Sequence, residues 1–401
     1  MKTIFLTILM CILTVQISGA DWVQVSNGMG NRFVYSLAIG GNNIYAGTNT
    51  YGVYLSTDNG NNWTQTSLNN EAIYSLAVNG NYIFAGTTLS ANGVYLSTDN
   101  GSNWIQTSLN NKPVFSLAVN GDYIFAGTGA NNGVYFSTNN GTSWTQTSLN
   151  NRSVYSIAVN GNNIFAGTYL NGSYLSTNNG SSWTQTSLNN KTPYSLALNG
   201  NKIFAGVGYS GGGSGVYFST DNTATWTQTS LNDDDVLALA VSGNNIFAGA
   251  AFGVYVSNDN GANWSQRNES LSNSDVRAFC KLHNYIFAGT GGGGVYRRLL
   301  SELTDIKMVS NEIPGIFSLS QNYPNPFNPE THLRFGISET GFVSLKIYSA
   351  MGKDVQTLVN EKLSPGNYEV EFNGSDLTSG VYFYKIQSGK FSEVKRMLLI
   401  K

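Results

Sequence analysis

Apolar and polar positions alternate in short runs along the first three quarters of the chain, and four runs return in a constant order. The first is VYSLAIG from Val34, the second IYAGT from Ile44, the third GVYLS from Gly52 and the fourth WTQTS from Trp63. Each combines β-branched, aromatic or small residues and ends in, or is followed by, Gly, Asn or Ser, which predicts a strand between turns. The four are designated a, b, c and d. Copies of the a–b pair begin at Val34, Ile73, Val114, Val154, Pro193, Val236 and Val276, most joined by an Asn-Gly type turn that predicts a hairpin. Both faces of these strands carry apolar or small side chains, as sheets packed between two neighbours require.

Tryptophans at Trp22, Trp63, Trp104, Trp144, Trp183, Trp226 and Trp264 are spaced 38 to 43 residues apart, the period of a four-stranded propeller blade. Seven a–b pairs are present but only six complete c-turn-d hairpins, because GVYRRLL at Gly294 supplies a c strand with no Trp after it. The missing d strand stands at the other end, where Trp22 to Ser26 (WVQVS) matches WTQTS with no a, b or c before it. The predicted fold is therefore all-β: a seven-bladed β-propeller over residues 21–300, closed by its own N-terminal strand, which removes the open sheet edge.

Between c and d lies a turn, STDNGNNW at Ser56 to Trp63, repeated as STDNGSNW, STNNGTSW, STNNGSSW, STDNTATW and SNDNGANW. An Asp in such a turn accepts backbone N–H bonds, the Gly takes the left-handed conformation and the Trp covers the hairpin. The pattern resembles the Asp-box, or bacterial neuraminidase repeat, of sialidase-like propellers, xyloglucan-degrading endoglucanases and the photosystem II assembly factor group. The resemblance assigns a structural role to Asp58, Asp99, Asn139, Asn178, Asp221 and Asp259 and to Trp63, Trp104, Trp144, Trp183, Trp226 and Trp264. Asn139 and Asn178 depart from the Asp, and Thr223 replaces the Gly, which leaves the geometry of that fifth turn open.

The ends of the chain read differently. Residues 1–20 hold Lys2, an apolar run from Ile4 to Val15 and Ser18-Gly19-Ala20, the layout of a signal peptide cleaved near Ala20, and no later stretch is long enough to span a bilayer as a helix. Cleavage would leave Cys280 alone, so no internal disulfide is expected. Charged residues become dense after residue 300, with 21 of them in 301–401. Residues 301–314 read as a linker and 315–401 as a small Ig-like β-sandwich of alternating strands. NYPNPFNPET from Asn322, LKIYSAMGKDVQTL from Leu345, GNYEVEFNGSDLTSGVYFYKI from Gly366 and the terminal KRMLLIK closely resemble the type A C-terminal sorting domain of type IX secretion. That resemblance implies the type IX machinery as a partner and a secreted or outer cell-surface location.

Chemistry is sparse by comparison. Residues 21–300 carry ten Lys plus Arg against twelve Asp plus Glu, so no nucleic-acid footprint is present. No cofactor motif or metal-ligand spacing occurs, and His283 reads as a turn residue with no second His near it in the ring. Sialidases carry an Arg-Ile-Pro stretch that is absent here, and a glycosidase needs two carboxylates across one bond. The expected function is a recognition or scaffold module that binds glycan or protein, with a glycoside hydrolase on the same fold as the alternative. The face bearing the d-to-a and b-to-c loops is expected to bind. Its candidates are Arg32, Arg152, the acidic run Asp233, Asp234 and Asp235, with Asp234 expected to be exposed, and Arg277. At the starts of the a strands they are Tyr35, Tyr74, Tyr155 and Tyr194, accompanied by Phe115 and Leu237. Tyr51, Tyr169, Tyr209 and Phe252 add exposed rings in the b-to-c loops.

Overall fold

A computed structural model describes residues 21–88, 92–208, 214–303, 306–310, 312–375 and 377–401. The expected signal peptide and Tyr209 lie outside the described residues. Strands Val34–Gly40, Asn43–Thr48, Val53–Ser56 and Thr64–Gln65 form one antiparallel sheet in the order a-b-c-d. Five further sheets repeat that order, ending with Val236–Ser242, Asn245–Ala250, Gly253–Ser257 and Ser265–Gln266. The seventh joins Val276–Leu282, Tyr285–Thr290 and Gly294–Leu299 to the N-terminal Val23–Gln24. There Val23 pairs with Arg297 and Gln24 with Tyr296.

The a strands contact one another in succession, and Val276–Leu282 contacts Val34–Gly40, so these strands form a closed ring. Two details of packing follow the same circle. In every AGT or equivalent b strand, a Cβ on the central Gly would collide with the first a residue of the next sheet. Gly86 lies 2.7 Å from Val114 in this sense, Gly249 lies 2.6 Å from Val276, and Gly289 lies 2.6 Å from Val34 across the junction of last and first sheets. Each Trp shares a buried cluster with the b-strand aromatic of the preceding sheet: Trp104 with Tyr45, Trp144 with Phe84, Trp183 with Phe125, Trp226 with Phe165 and Trp264 with Phe204. Trp63 shares Phe287's cluster and Trp22 shares Phe247's, which completes the set.

The six turns consume their own side chains. Ser56 Oγ donates to Asp58 Oδ1 at 2.9 Å while accepting from Gly60 N at 2.9 Å, and Asp58 accepts from Asn62 N and Nδ2. Where Asn139 and Asn178 replace Asp, the residue four positions on is Ser, and the amide donates to its hydroxyl at 2.9 Å. The donor–acceptor pair is thus reversed without loss of the bond. The fifth turn keeps its shape, with Thr223 N donating to Ser219 Oγ at 2.9 Å, although Thr223 sits at φ 71°, an unfavourable region for a β-branched residue.

The C-terminal part holds two four-stranded sheets. One is ordered Ile306–Ser310, Gly366–Asn373, Glu330–Ile337, Ser318–Leu319, and the other Asp354–Leu363, Gly341–Ser349, Gly380–Ser388, Phe391–Leu399. Alternate residues of both, including Leu333, Phe335, Leu345, Ile347, Tyr384 and Met397, meet in one buried core. Ile306–Ser310 falls in the stretch expected to be a linker. Its Ile306 is 5% exposed and pairs with Val370. The charged residues around this segment concealed a two-residue apolar alternation, Ile306 and Met308, that suits an edge strand. No α-helix occurs among the described residues, and none is long and apolar enough to cross a membrane.

Candidate functional site

The second residue of each a strand is set apart by its backbone. Pairing with strand b slips between the first and third residues in all seven sheets, between Val34 and Ser36 in the first and between Val276 and Ala278 in the last. A β-bulge leaves the intervening residue out of the ladder and re-aims its side chain. The seven residues so released are Tyr35, Tyr74, Phe115, Tyr155, Tyr194, Leu237 and Arg277. They line a single cavity of about 150 Å³. Because the a strands form the inner circle, this cavity is the mouth of the ring's axis.

The rings pack in sequence around it. Tyr35 stacks on Tyr74 with centroids 4.2 Å apart, Tyr74 meets Phe115 edge-on at 5.6 Å, Phe115 stacks on Tyr155 at 4.7 Å and Tyr155 tilts against Tyr194 at 5.2 Å. Burial, with the Tyr35 hydroxyl second, raises the Tyr74 phenol well above its usual range, and burial followed by Tyr169 raises that of Tyr155. Both remain neutral hydroxyls at physiological pH. Arg277 closes the circle with its guanidinium carbon 5.4 Å from the centre of the Tyr35 ring, a cation–π placement. Asp275 holds it through Nη2 at 2.7 Å and Nε at 2.9 Å. The mouth therefore offers aromatic faces, phenol hydroxyls and one charge-compensated guanidinium, and no carboxylate is among its seven lining residues. Phe33, 44% exposed and 6.5 Å from Tyr35, extends the aromatic surface. Its signal in the sequence was a ring directly before Val34, found in this copy alone.

The other candidates do not join this cavity. Arg32 lies over the Tyr51 ring at 3.5 Å, and Arg152 donates from Nε to Tyr174 Oη at 3.3 Å. Lys112 and Lys191 stand near Tyr135 and Tyr217 at 5.9 and 5.8 Å. All occupy one repeat position, two residues before the first apolar residue of strand a. Glu71 and Asp234 fill the same position in their sheets, and this explains a correction: Asp234, expected to be exposed, is 3% exposed. Among the described residues no hydrogen bond of good geometry reaches either of its oxygens, although the Tyr255 hydroxyl and the Phe252 N–H are close enough to offset part of its desolvation. Burial dominates and raises its pKa. Asp233 is exposed, and Asp235 accepts from Ser214 Oγ at 2.7 Å. Of the b-to-c rings, Tyr51, Tyr169 and Phe252 are exposed on the mouth side.

On the opposite face, turn hydrogen bonds lower the carboxyl pKa of Asp58 and Asp99, and those from Thr225 bring Asp221 to about 2. These groups are engaged in holding their turns. Cys280 is buried in the seventh sheet, which pushes its thiol up and away from reactivity. No cluster of His, Cys, Asp and Glu able to hold a metal ion occurs among the described residues.

Residues 321–401 match the family described as Secretion system C-terminal sorting domain. No curated protein matches the chain. Among solved structures it is similar to YCF48 bound to D1 peptide, at 15% identity and a TM-score of 0.55, over 69% of this chain and 94% of that one. It is similar to an ancestral GH74 enzyme at 17% identity and a TM-score of 0.55, over 94% of this chain but 63% of the enzyme. The WD40 β-propeller domain of Doa1 gives 12% identity and a TM-score of 0.53, over 67% and 93%. At such identities the likeness concerns the fold. The chain is thus an all-β protein with a propeller-like ring of four-stranded sheets and a C-terminal segment similar to secretion-system sorting domains.

Proposed function

We propose that residues 21–300 form a seven-bladed Asp-box β-propeller, closed by Val23–Gln24, that serves as a recognition module at or beyond the cell surface. In this reading the signal peptide directs export through the inner membrane, and the Ig-like sandwich carries the protein through the type IX machinery. The match of residues 321–401 to a sorting domain supports that route. One observation carries the binding role: seven bulges present five aromatic rings, a leucine and a paired guanidinium at one axial mouth. Its volume of about 150 Å³ is below the ~300–1,000 Å³ typical of small-molecule sites. A terminal sugar or single side chain of a larger partner fits that size better than a free metabolite. Stacking on aromatic faces, with phenol hydroxyls beside them, suits either.

The test is retention of mature protein, residues 21–401, on a panel of immobilised polysaccharides and envelope proteins, with reducing-sugar release measured alongside. Tyr155→Ala and Arg277→Gln should each weaken retention, whereas Asn103→Ala on the opposite face should not. Equal retention of all three, or sugar release that survives the mouth substitutions, would refute the reading.

A further inference from the structure

The mouth face is asymmetric in charge. The d-to-a loops of the third, fourth and fifth sheets carry Lys112, Arg152 and Lys191 at equivalent positions, and neither they nor the b-to-c loops of those sheets contain an Asp or Glu. The sixth sheet follows with Asp233, Asp234 and Asp235. Three consecutive sheets thus form a cationic sector bounded by an acidic one. The aromatic lining runs outward over the same sector, since Tyr169 lies 5.8 Å from the Tyr155 ring and is 46% exposed. Tyr169 N donates to Ser153 O at 2.9 Å, which fixes this ring beside the Arg152 loop. Arg152 uses Nε on Tyr174 Oη and Nη1 on Asn151 O, leaving Nη2 without a partner among the described residues.

From this arrangement, and resting on the proposed recognition role, we propose that the sector is an extended subsite for a carboxylated polysaccharide, a polyuronate. One residue enters the axial mouth against Tyr155, the next stacks on Tyr169, and carboxylates face Arg152 and its two neighbouring lysines. An apolar ring gives the sugar a C–H-bearing face to cover, while the flanking cations discriminate acid from neutral sugar. The surrounding loops are rich in asparagine, Asn131, Asn151 and Asn171 among them, whose amides suit hydroxyl groups. An acidic peptide fits less well. Peptides commonly add to an open sheet edge, and the edges of these sheets lie along the d strands at the rim rather than on the mouth face. The acidic sheet repels the same polymer and so sets its direction across the ring.

The test measures affinity of mature protein for polygalacturonate, for its neutral methyl ester and for polyglutamate, between about 0.01 and about 0.15 M salt. The acid polymer should bind about tenfold more tightly than its ester at low salt, a gap that narrows as salt rises. The triple variant K112Q/R152Q/K191Q should bind both alike, and Tyr169→Ala should weaken both. The proposal is overturned if acid and ester bind equally, if polyglutamate binds as tightly as polygalacturonate, or if the triple variant retains the preference. Ester binding that is lost in Tyr155→Ala would preserve the recognition role even where the acid preference fails. Binding of neither polymer overturns the polyuronate subsite, and the recognition role falls with it only if the broader retention panel is also blank.

Discussion

Replacing Trp22 by alanine removes the side chain that fastens the first residues of the ring to its last sheet. The indole is 2% exposed, shares a cluster with Phe247, Val254 and Tyr296, and donates from Nε1 to Arg267 O at 2.8 Å. The strand beside it contributes only two residue pairs, Val23 with Arg297 and Gln24 with Tyr296. Truncation of a buried Trp costs ~3–5 kcal/mol, and the hydrogen bond to the Arg267 carbonyl is lost with it, which places Trp22→Ala near the upper end. Trp264→Ala is the internal control. That indole occupies the equivalent place in the sixth sheet, but it is partly exposed and its N–H has no hydrogen-bond partner among the described residues, so its loss should cost less. Urea denaturation of mature protein, followed by circular dichroism to leave the remaining indoles out of the readout, compares the two midpoints. A Trp22→Ala cost below about 1 kcal/mol, or below that of Trp264→Ala, would refute closure by the N-terminal strand.

Three further outcomes follow from the packing. Gly289→Ala places a Cβ 2.6 Å from Val34 Cγ1 at the junction of the last and first sheets, and overpacking there should lower stability by ~1–3 kcal/mol in the same denaturation assay. Asp234→Asn should raise the melting temperature at neutral pH. With the folded pKa of Asp234 above its unfolded value, the folded state binds more protons, stability falls as pH rises through that interval, and the advantage of Asn should vanish below about pH 4. A chain ending at Leu303 should keep a folded ring yet remain in the periplasm, as cell fractionation would show, and its appearance outside at normal levels would count against the sorting role. That cut is cleaner than one after Ser310, because Ile306–Ser310 belongs to the C-terminal sheet.

Much of the fold was legible because the chain spells it repeatedly. Seven tryptophans at a steady interval and seven a–b pairs named the strands, and the surplus WVQVS at the N-terminus supplied the partner that GVYRRLL lacked. The aromatic residues at the starts of the a strands were visible too, with Leu237 and Arg277 breaking their pattern. Their convergence was not. It depends on a one-residue slip in pairing, and VYSLA spells an ordinary strand whether or not Tyr35 is bulged. A run of three aspartates suggests solvent, yet Asp234 is buried. Its repeat position is the better guide, since Lys112, Arg152, Lys191 and Asp234 at that position each lie beside the c-strand tyrosine of their own sheet. Ile306–Ser310 shows the opposite case, in which a rise in charge around a short alternating run resembles a linker although the segment is a paired strand.

Footprinting by hydroxyl radicals locates bound partner directly, since exposed aromatic side chains oxidise readily and covered ones do not. With the polymer or protein that the retention panel selects, oxidation of Tyr35, Tyr74, Phe115, Tyr155 and Tyr194 should fall on binding. Oxidation of Trp104 and Trp183, which lie beside the turns of the opposite face, should be unchanged. Protection of those tryptophans with the axial tyrosines unaffected would contradict a recognition site at the mouth of the ring.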